Sequence, residues 1–517
     1  ISCKSSGDES TSATSFQIAD GFKIETFASE PLISDPVAME IDENGLIYVV
    51  EMHGYPLDVR GSGKIKILLD TSRDGYPDKS IVYADSLVLP TGITRWKNGV
   101  IVTDAPNLIY LEDSNGDYKA DIRRVLLTGF ARSNPQHNLN SPLLGPDNWI
   151  YLAHEGTVHT VSYDSLFGGT GDSIRTPGIK NRALPVNANG RSLRYNPETN
   201  IAEILSSKTQ YGHTFDPYGN YFLVTNWQHI YQEIIPERYR NRNQWKTETN
   251  PVAYISDHGD AADVYPITEN AEHQLLTDVG VFTSACGITF YDGGLFGSEW
   301  ENVSFVAEPV HNLVHADKLR SNGATQKASR IFSNKEFLAS KDPWFRPVNF
   351  YVGPDGALYV IDYYRKIIEH PEWMSDEVNR SGQLYTGSNQ GRIYRITPKE
   401  TASPEFAGKK LLDVDDAQML IKNLSSTNGW YRKNARRILS HQKDSKNTIA
   451  LRNLIQDSDS IGAVQALYVL NSTDELSDDD ILKALKIRNE FVRIHALRLA
   501  ETRAANPIVA KAILEMA

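Results

Sequence analysis

At 517 residues the chain is too long for one ordinary domain. With 40% hydrophobic and 23% charged residues it has a globular composition with ample core, and a formal net charge of -12 argues against nucleic acid and against an anionic membrane surface as main partners. It contains no run of eighteen apolar residues, so no stretch reads as a membrane-spanning helix.

The chain opens Ile1-Ser2-Cys3 and continues through a Ser/Gly-rich polar stretch. A cysteine followed by such a tether resembles the remnant of a bacterial lipobox. On that reading residues 1–18 are a flexible tether and Cys3 carries lipid, which places the protein in the bacterial cell envelope as an outer-membrane-anchored lipoprotein, periplasmic or surface-exposed. The plainer reading is an exposed cysteine in a disordered tail. Two cysteines this far apart make no disulfide scaffold, and Cys286, within the strand-like SACGITFYD, reads as a small buried hydrophobe.

From Gly21 a strand–turn–strand unit recurs, first preceded by the strand FKIETFA. It appears at 38–50, 92–103, 141–153, 212–225, 286–307 and 348–361, each time as two apolar runs around a turn rich in Asp, Asn, Gly or Pro. Further strands such as KIKILLD and NLIYLED lie between the copies. About four strands per copy is the signature of a β-propeller blade. The fold expected is mainly β with an α C-terminus: a six-bladed β-propeller over 19–400 followed by a HEAT-like α-solenoid over 401–517. A seventh, degenerate blade within 226–284 stays open. In the helical part, Ser477 followed by three aspartates is a helix start, and the array ends on an apolar helix, so that either the native chain continues or this face docks on an envelope protein partner.

Two acidic loops have calcium-like spacing. Asp70, Ser72, Asp74, Tyr76 (through its backbone) and Asp78 form one, and Asp113, Asn115, Asp117, Lys119 (through its backbone) and Asp121 the other. Calcium takes six to eight hard oxygens, and alternate residues of a tight loop can direct them inward. Each loop follows a strand, so each belongs to a blade-edge hairpin where an ion would be structural. Metal-free Asp/Gly turns are the alternative.

In a propeller, residues just before the first strand and just after the second share one face. Those positions hold Glu51 and His53, Asp104, His137, His154 and Glu155, Trp227, Glu308 and His311, Arg346, and Asp362, Tyr363 and Arg365. A single His or Asp at a strand end is more often structural than catalytic; the clustering is what suggests a polar small-molecule funnel. There an imidazole offers a general base, Arg346 or Arg365 a bidentate site for an acid group, and Trp227 a flat face for a sugar or cofactor. Two reactions fit: oxidation of a sugar or alcohol hydroxyl with a bound quinone, or glycan binding or cleavage without a redox cofactor. No GxGxxG precedes a helix, and neither HExxH nor CxxCH occurs, which removes Rossmann nicotinamide binding, zincins and attached c-type haem.

The segments HNLNSPLLGPDNWIYLAHEG (137–156) and WFRPVNFYVGPDGALYVIDYYRKIIEHPEW (344–373), with the blade spacing, resemble the soluble aldose (glucose/sorbosone-type) dehydrogenases that use pyrroloquinoline quinone (PQQ). They resemble more closely a bacterial membrane-bound dehydrogenase group, in which such a propeller precedes HEAT repeats and often a cytochrome c domain. The resemblance implies that His137 is the base that takes the hydroxyl proton as hydride leaves for the quinone. It places Lys208 and Gln210 where that family has an Arg-Asn-Pro cofactor segment, and makes Arg346 and Arg365 replacement cations for PQQ. The expectation is therefore a quinoprotein-like sugar or alcohol dehydrogenase. The alternatives are a non-catalytic scaffold lipoprotein of an envelope complex and a carbohydrate-binding or -cleaving propeller.

Overall fold

The structure, a computed structural model, describes residues 15–158, 161–242, 250–269, 279–457 and 461–516. Cys3 and most of the expected tether lie outside them. Six antiparallel sheets form six blades. Their inner strands are Pro36–Ile41, Gly92–Trp96, Asn140–Leu144, His213–Phe215, Cys286–Tyr291 and Pro347–Val352, and each touches the next until the last returns to the first, closing a ring. The blades are numbered 1 to 6 in that order. The ring is sealed by the N-terminal strand Phe22–Ser29, which pairs with Arg392–Pro398 as the outer strand of blade 6, while Phe16–Ile18 extends blade 5. Among the described residues, 226–284 forms no seventh blade: Tyr231–Glu233 and Val252–Tyr254 are the third and fourth strands of blade 4.

The turn joining the first and second strands of a blade is built by an aspartate and a left-handed residue. In blade 1 the Asp42 carboxylate accepts from Asn44 and Leu46 N–H, and Gly45 closes the turn at φ 71°. A β-carbon there would lie 2.2 Å from the Phe406 carbonyl, so only glycine fits. The turns of blades 3 and 6 use Asn148 (φ 63°) and Gly356 (φ 76°) in the same way.

After Pro398 the chain becomes helical: α1 (Ala417–Asn423), α2 (Gly429–Leu439), α3 (Ser445–Asp457), α4 (Ile461–Ser472), α5 (Asp478–Ala484), α6 (Glu490–Ala500) and α7 (Pro507–Leu514). Helices α1–α2, α3–α4 and α5–α6 form hairpins, and α2, α4 and α6 line up as an inner row. Ser477 caps α5 in a capping box with Asp480. The inner row seals one end of the ring by reaching the turns of all six blades. Trp430 Nε1 donates to the Ile41 carbonyl, Arg437 to Lys97, Arg436 to Gly145 and Asn148, His495 Nε2 bonds the Tyr218 carbonyl, Arg432 pairs with Asp292, and Asn428 donates to Gly353 and Pro354. One buried apolar cluster runs from blades 1 and 6 into α2, α4 and α6. Among the described residues no helix is long and apolar enough to cross a membrane.

Both acidic loops sit at outer edges, 70–78 between the strands Gly63–Leu69 and Lys79–Leu87 and 113–121 between Asn107–Glu112 and Ile122–Thr128. Each leading aspartate holds its own loop: Asp70 accepts from Arg73 and Gly75 N–H, and Asp113 from Gly116 and Tyr118 N–H.

Candidate functional site

With one end of the ring closed by α2, the other opens as a funnel over a cavity of about 520 Å³. At its wall stands His137. The residue ends the short 3-10 turn Pro135–His137, whose N-cap Asn134 accepts from Gln136 N–H. His137 Nδ1 lies 2.7 Å from Glu155 Oε2, just past the second strand of the same blade. An ionised carboxylate only accepts, so Nδ1 donates and the neutral ring keeps its lone pair on Nε2. Burial raises the pKa of Glu155, but its hydrogen bond with His137, the positive charge that this ring takes on when protonated and the charge of Lys208 outweigh this and hold it below the usual carboxylate range. The pair is an oriented base at a cavity wall.

The rest of the lining is aromatic and uncharged, with one exception. Tyr55, Tyr211, Phe282, Tyr363 and Trp373 form flat walls, Trp227 is 55% exposed at the rim, and Gln136, Gln210, Asn226, Thr283 and Ser284 supply neutral polar atoms. Buried Cys286 is also part of the wall. The exception is Glu369, whose carboxyl burial pushes up to about 7. It is a candidate acid beside Gln136, the neighbour of the candidate base, and no motif marks it in IIEHPEW.

The strand-end residues expected in the funnel have another role. Glu51 accepts from Ser34 N–H, Asp104 from Val88 and Leu89, Glu308 from Thr283 and Ser284, and Asp362 from Arg346. In each case the carboxylate at the end of the second strand ties down the loop that leads into the inner strand of its own blade. That loop has left one sheet ladder and not yet joined the next, so its N–H groups need an acceptor. The repetition of acids at these positions is therefore blade architecture, and Asp104, Glu308 and Asp362 are not among the residues that line the cavity. His53 bridges Asp35 and Glu51, His311 bonds Glu308 and Gly280 N–H, and fully buried His154 bonds Asn187, its basicity lowered to about 4 by burial. Of the expected funnel residues, His137, Gln210, Trp227 and Tyr363 do line the cavity.

The expected cofactor cations are elsewhere. Arg346 donates to the carbonyls of Pro309, Val310, Arg365 and Lys366, and Arg365 to Asp35 and Ser388. Lys208 is exposed beside Glu155 and outside the lining. Among the described residues none of the lining groups is Lys or Arg. A tricarboxylate quinone needs such cations, because a desolvated carboxylate without a partner is costly. The described lining does not fit PQQ.

Fold and site together define a class: a six-bladed propeller capped by helices at one end, with a His–Glu pair in a funnel at the other. The chain belongs to the family described as Domain of unknown function (DUF7133), whose model matches residues 8–400. No curated protein matches it. Solved structures similar to it include an oxidoreductase (glucose dehydrogenase) from Thermus thermophilus, at 16% identity over 72% of this chain and 99% of that one, TM-score 0.41. Others are the PQQ-bound aldose sugar dehydrogenase of Streptomyces coelicolor, at 11% identity over 74% and 100%, TM-score 0.39, and the apo-form of the soluble aldose sugar dehydrogenase of Escherichia coli, at 12% identity over 73% and 100%, TM-score 0.40.

Proposed function

We propose that the funnel is the active site of a sugar or alcohol dehydrogenase in which His137 Nε2 takes the proton of a substrate hydroxyl. The observation that carries this is the 2.7 Å contact of Nδ1 with Glu155, which leaves Nε2 as the basic atom at the cavity wall. The aromatic walls and neutral polar groups suit an uncharged polyhydroxylated substrate, and the resemblance of 137–156 to aldose dehydrogenases supports the reaction type. As the proton goes to His137, the carbon-bound hydrogen leaves as hydride to a two-electron acceptor. Because the described lining does not match a tricarboxylate, no step is assigned to PQQ.

Dye-linked oxidation of sugars and alcohols, measured with and without added PQQ and calcium, tests the proposal. His137→Ala is expected to lower turnover by about 10²–10⁴-fold, with an unchanged melting temperature. Glu155→Gln, which can present the wrong atom to Nδ1, is expected to lower kcat more than it changes KM. Absence of oxidation in folded protein under every condition overturns the proposal. A second reading, acid–base cleavage of a glycosidic bond, draws on Glu369, whose carboxyl burial pushes up to about 7, toward the range of a general acid; release of reducing ends without an electron acceptor, lost in Glu369→Gln, would establish it. We also propose that Cys3 carries a lipid anchor holding the protein in the bacterial envelope, tested by mass spectrometry of the N-terminal peptide from native membranes.

A further inference from the structure

A second cluster of chemistry-bearing side chains lies outside the funnel, between blades 4 and 5. His229 lies between the second and third strands of blade 4, and His258 follows the fourth. His315 and Asp317 stand two residues apart on the strand Leu313–Asn322 of blade 5 and so share one face of it. One ligand atom from each of the four lies within 4.8 Å of all the others. We infer that these four residues bind a divalent transition-metal ion of the zinc class.

Three observations carry the inference. The first is spacing. His229 Nε2 is 2.9 Å from Asp317 Oδ2, and the Nε2 atoms of His315 and His258 are 3.1 and 3.8 Å from Oδ1. Ligand atoms about 2.0–2.2 Å from a tetrahedral ion stand about 3.3–3.6 Å apart, a separation that the observed contacts bracket.

The second is how the rings are held from behind. His315 Nδ1 is 2.7 Å from Glu336, His258 Nδ1 is 3.1 Å from Asp257, and His229 Nδ1 is 3.4 Å from the Tyr254 hydroxyl, which donates its own proton to the Gly259 carbonyl. These partners hold each ring by Nδ1 and leave the three Nε2 atoms facing Asp317, the arrangement that outer groups impose on metal-binding histidines. Arg330 also touches Glu336 and the His315 ring from the outside. Without an ion, Nε2 of His229 and His315 hydrogen-bond to the Asp317 carboxylate, so protons supply the positive charge there; a metal ion would take the place of those protons.

The third is His258 Nε2, a buried nitrogen without a hydrogen-bond partner among the described residues. Three imidazoles and one carboxylate are a nitrogen-rich, borderline set that suits zinc and its neighbours and not calcium. The ion would clasp two blades. It would also fix the funnel wall, because Phe282 stacks on His229 at 4.4 Å and lines the cavity on its other side.

The test uses the full chain. Elemental analysis is expected to find one zinc-class ion per chain. After chelation, cobalt(II) is expected to titrate in at one equivalent with the visible bands of a four-coordinate site, which zinc then bleaches. His258→Ala is expected to abolish both; because its ring, 17% exposed, stacks on His229 at 4.8 Å, the metal-free variant is compared with the metal-free wild type to separate lost packing from lost metal. Added zinc is expected to raise the melting temperature of the chelated wild type by several degrees and leave that of His258→Ala unmoved. A metal-free wild type that also takes up cobalt without stoichiometry or bands overturns the inference, as does a His258→Ala protein that keeps its ion.

Discussion

His53 shows how one ring can join two blades. Its Nδ1 lies 2.8 Å from Asp35 and its Nε2 2.9 Å from Glu51. Asp35 also pairs with Arg365 of blade 6, and Glu51 with Lys66 of blade 1. Burial lowers the basicity of His53, but the hydrogen bonds and charges of the two carboxylates outweigh it and raise its pKa to about 9. The unfolded value is about 6.5. A raised histidine stabilises the fold fully below the unfolded value, and that contribution is lost as pH climbs through the folded one. About 2.5 pKa units correspond to about 3 kcal/mol. The stability gap between wild type and His53→Gln, measured by denaturant unfolding, is therefore expected to shrink by about 3 kcal/mol between pH 6.5 and 9.5. A gap that stays constant over this range would show that the ring is not charged in the fold.

At the scale of elements, the carboxylate that ends the second strand is the repeating fastener of this propeller, seen in blades 1, 2, 5 and 6. Asp104→Ala leaves the N–H groups of Val88 and Leu89 without their acceptor. Each unsatisfied group costs about 1–3 kcal/mol, so a loss of about 2–6 kcal/mol is expected in thermal or denaturant unfolding, with blade 2 loosened and the His137–Glu155 geometry intact. An undiminished stability would remove the fastener role.

This element also shows why sequence reading identifies the blades but also assigns to the funnel acids that fasten loops and do not line the cavity. Alternating apolar runs and Asp/Asn/Gly turns specify strands and hairpins locally, so all six blades were legible. An acid at a strand end looks the same whether it faces a ligand or a backbone N–H of its own blade, and only the folded loop decides. His154 and Glu155 make the point within one dipeptide. Neighbours on extended backbone point to opposite sides, so His154 turns to Asn187 inside the blade and Glu155 to His137 at the cavity. The four residues of the proposed metal site carry no ligand-spacing motif because blade closure, not chain proximity, assembles them. Only the His-x-Asp of 315–317 left a trace.

For the whole molecule, the helices act as a lid that makes the ring one body with them. Their amphipathic spacing was legible, but the direction of WYRKNARRILS was not, because a row of arginines ordinarily marks a solvent face. Here Arg432, Arg436 and Arg437 are buried, since the lower rim of the ring presents turn carbonyls and the carboxylates of Glu43 and Asp292 as ready acceptors. Trp430 is the apolar centre of the junction, 2% exposed, bonded to the Ile41 carbonyl and part of the cluster that spans both parts. A core shared in this way couples the unfolding of lid and ring. The full chain is therefore expected to show one calorimetric transition. Trp430→Ala removes a buried indole, a change that costs about 3–5 kcal/mol, and it does so at the seam and not within either part. The expected result is two transitions, a lower one for the released helices, seen as loss of helical circular dichroism, and a higher one for the ring. One transition merely shifted downward would mean that the arginine contacts alone keep lid and ring together; two transitions already in the wild type would mean that the shared core does not couple them.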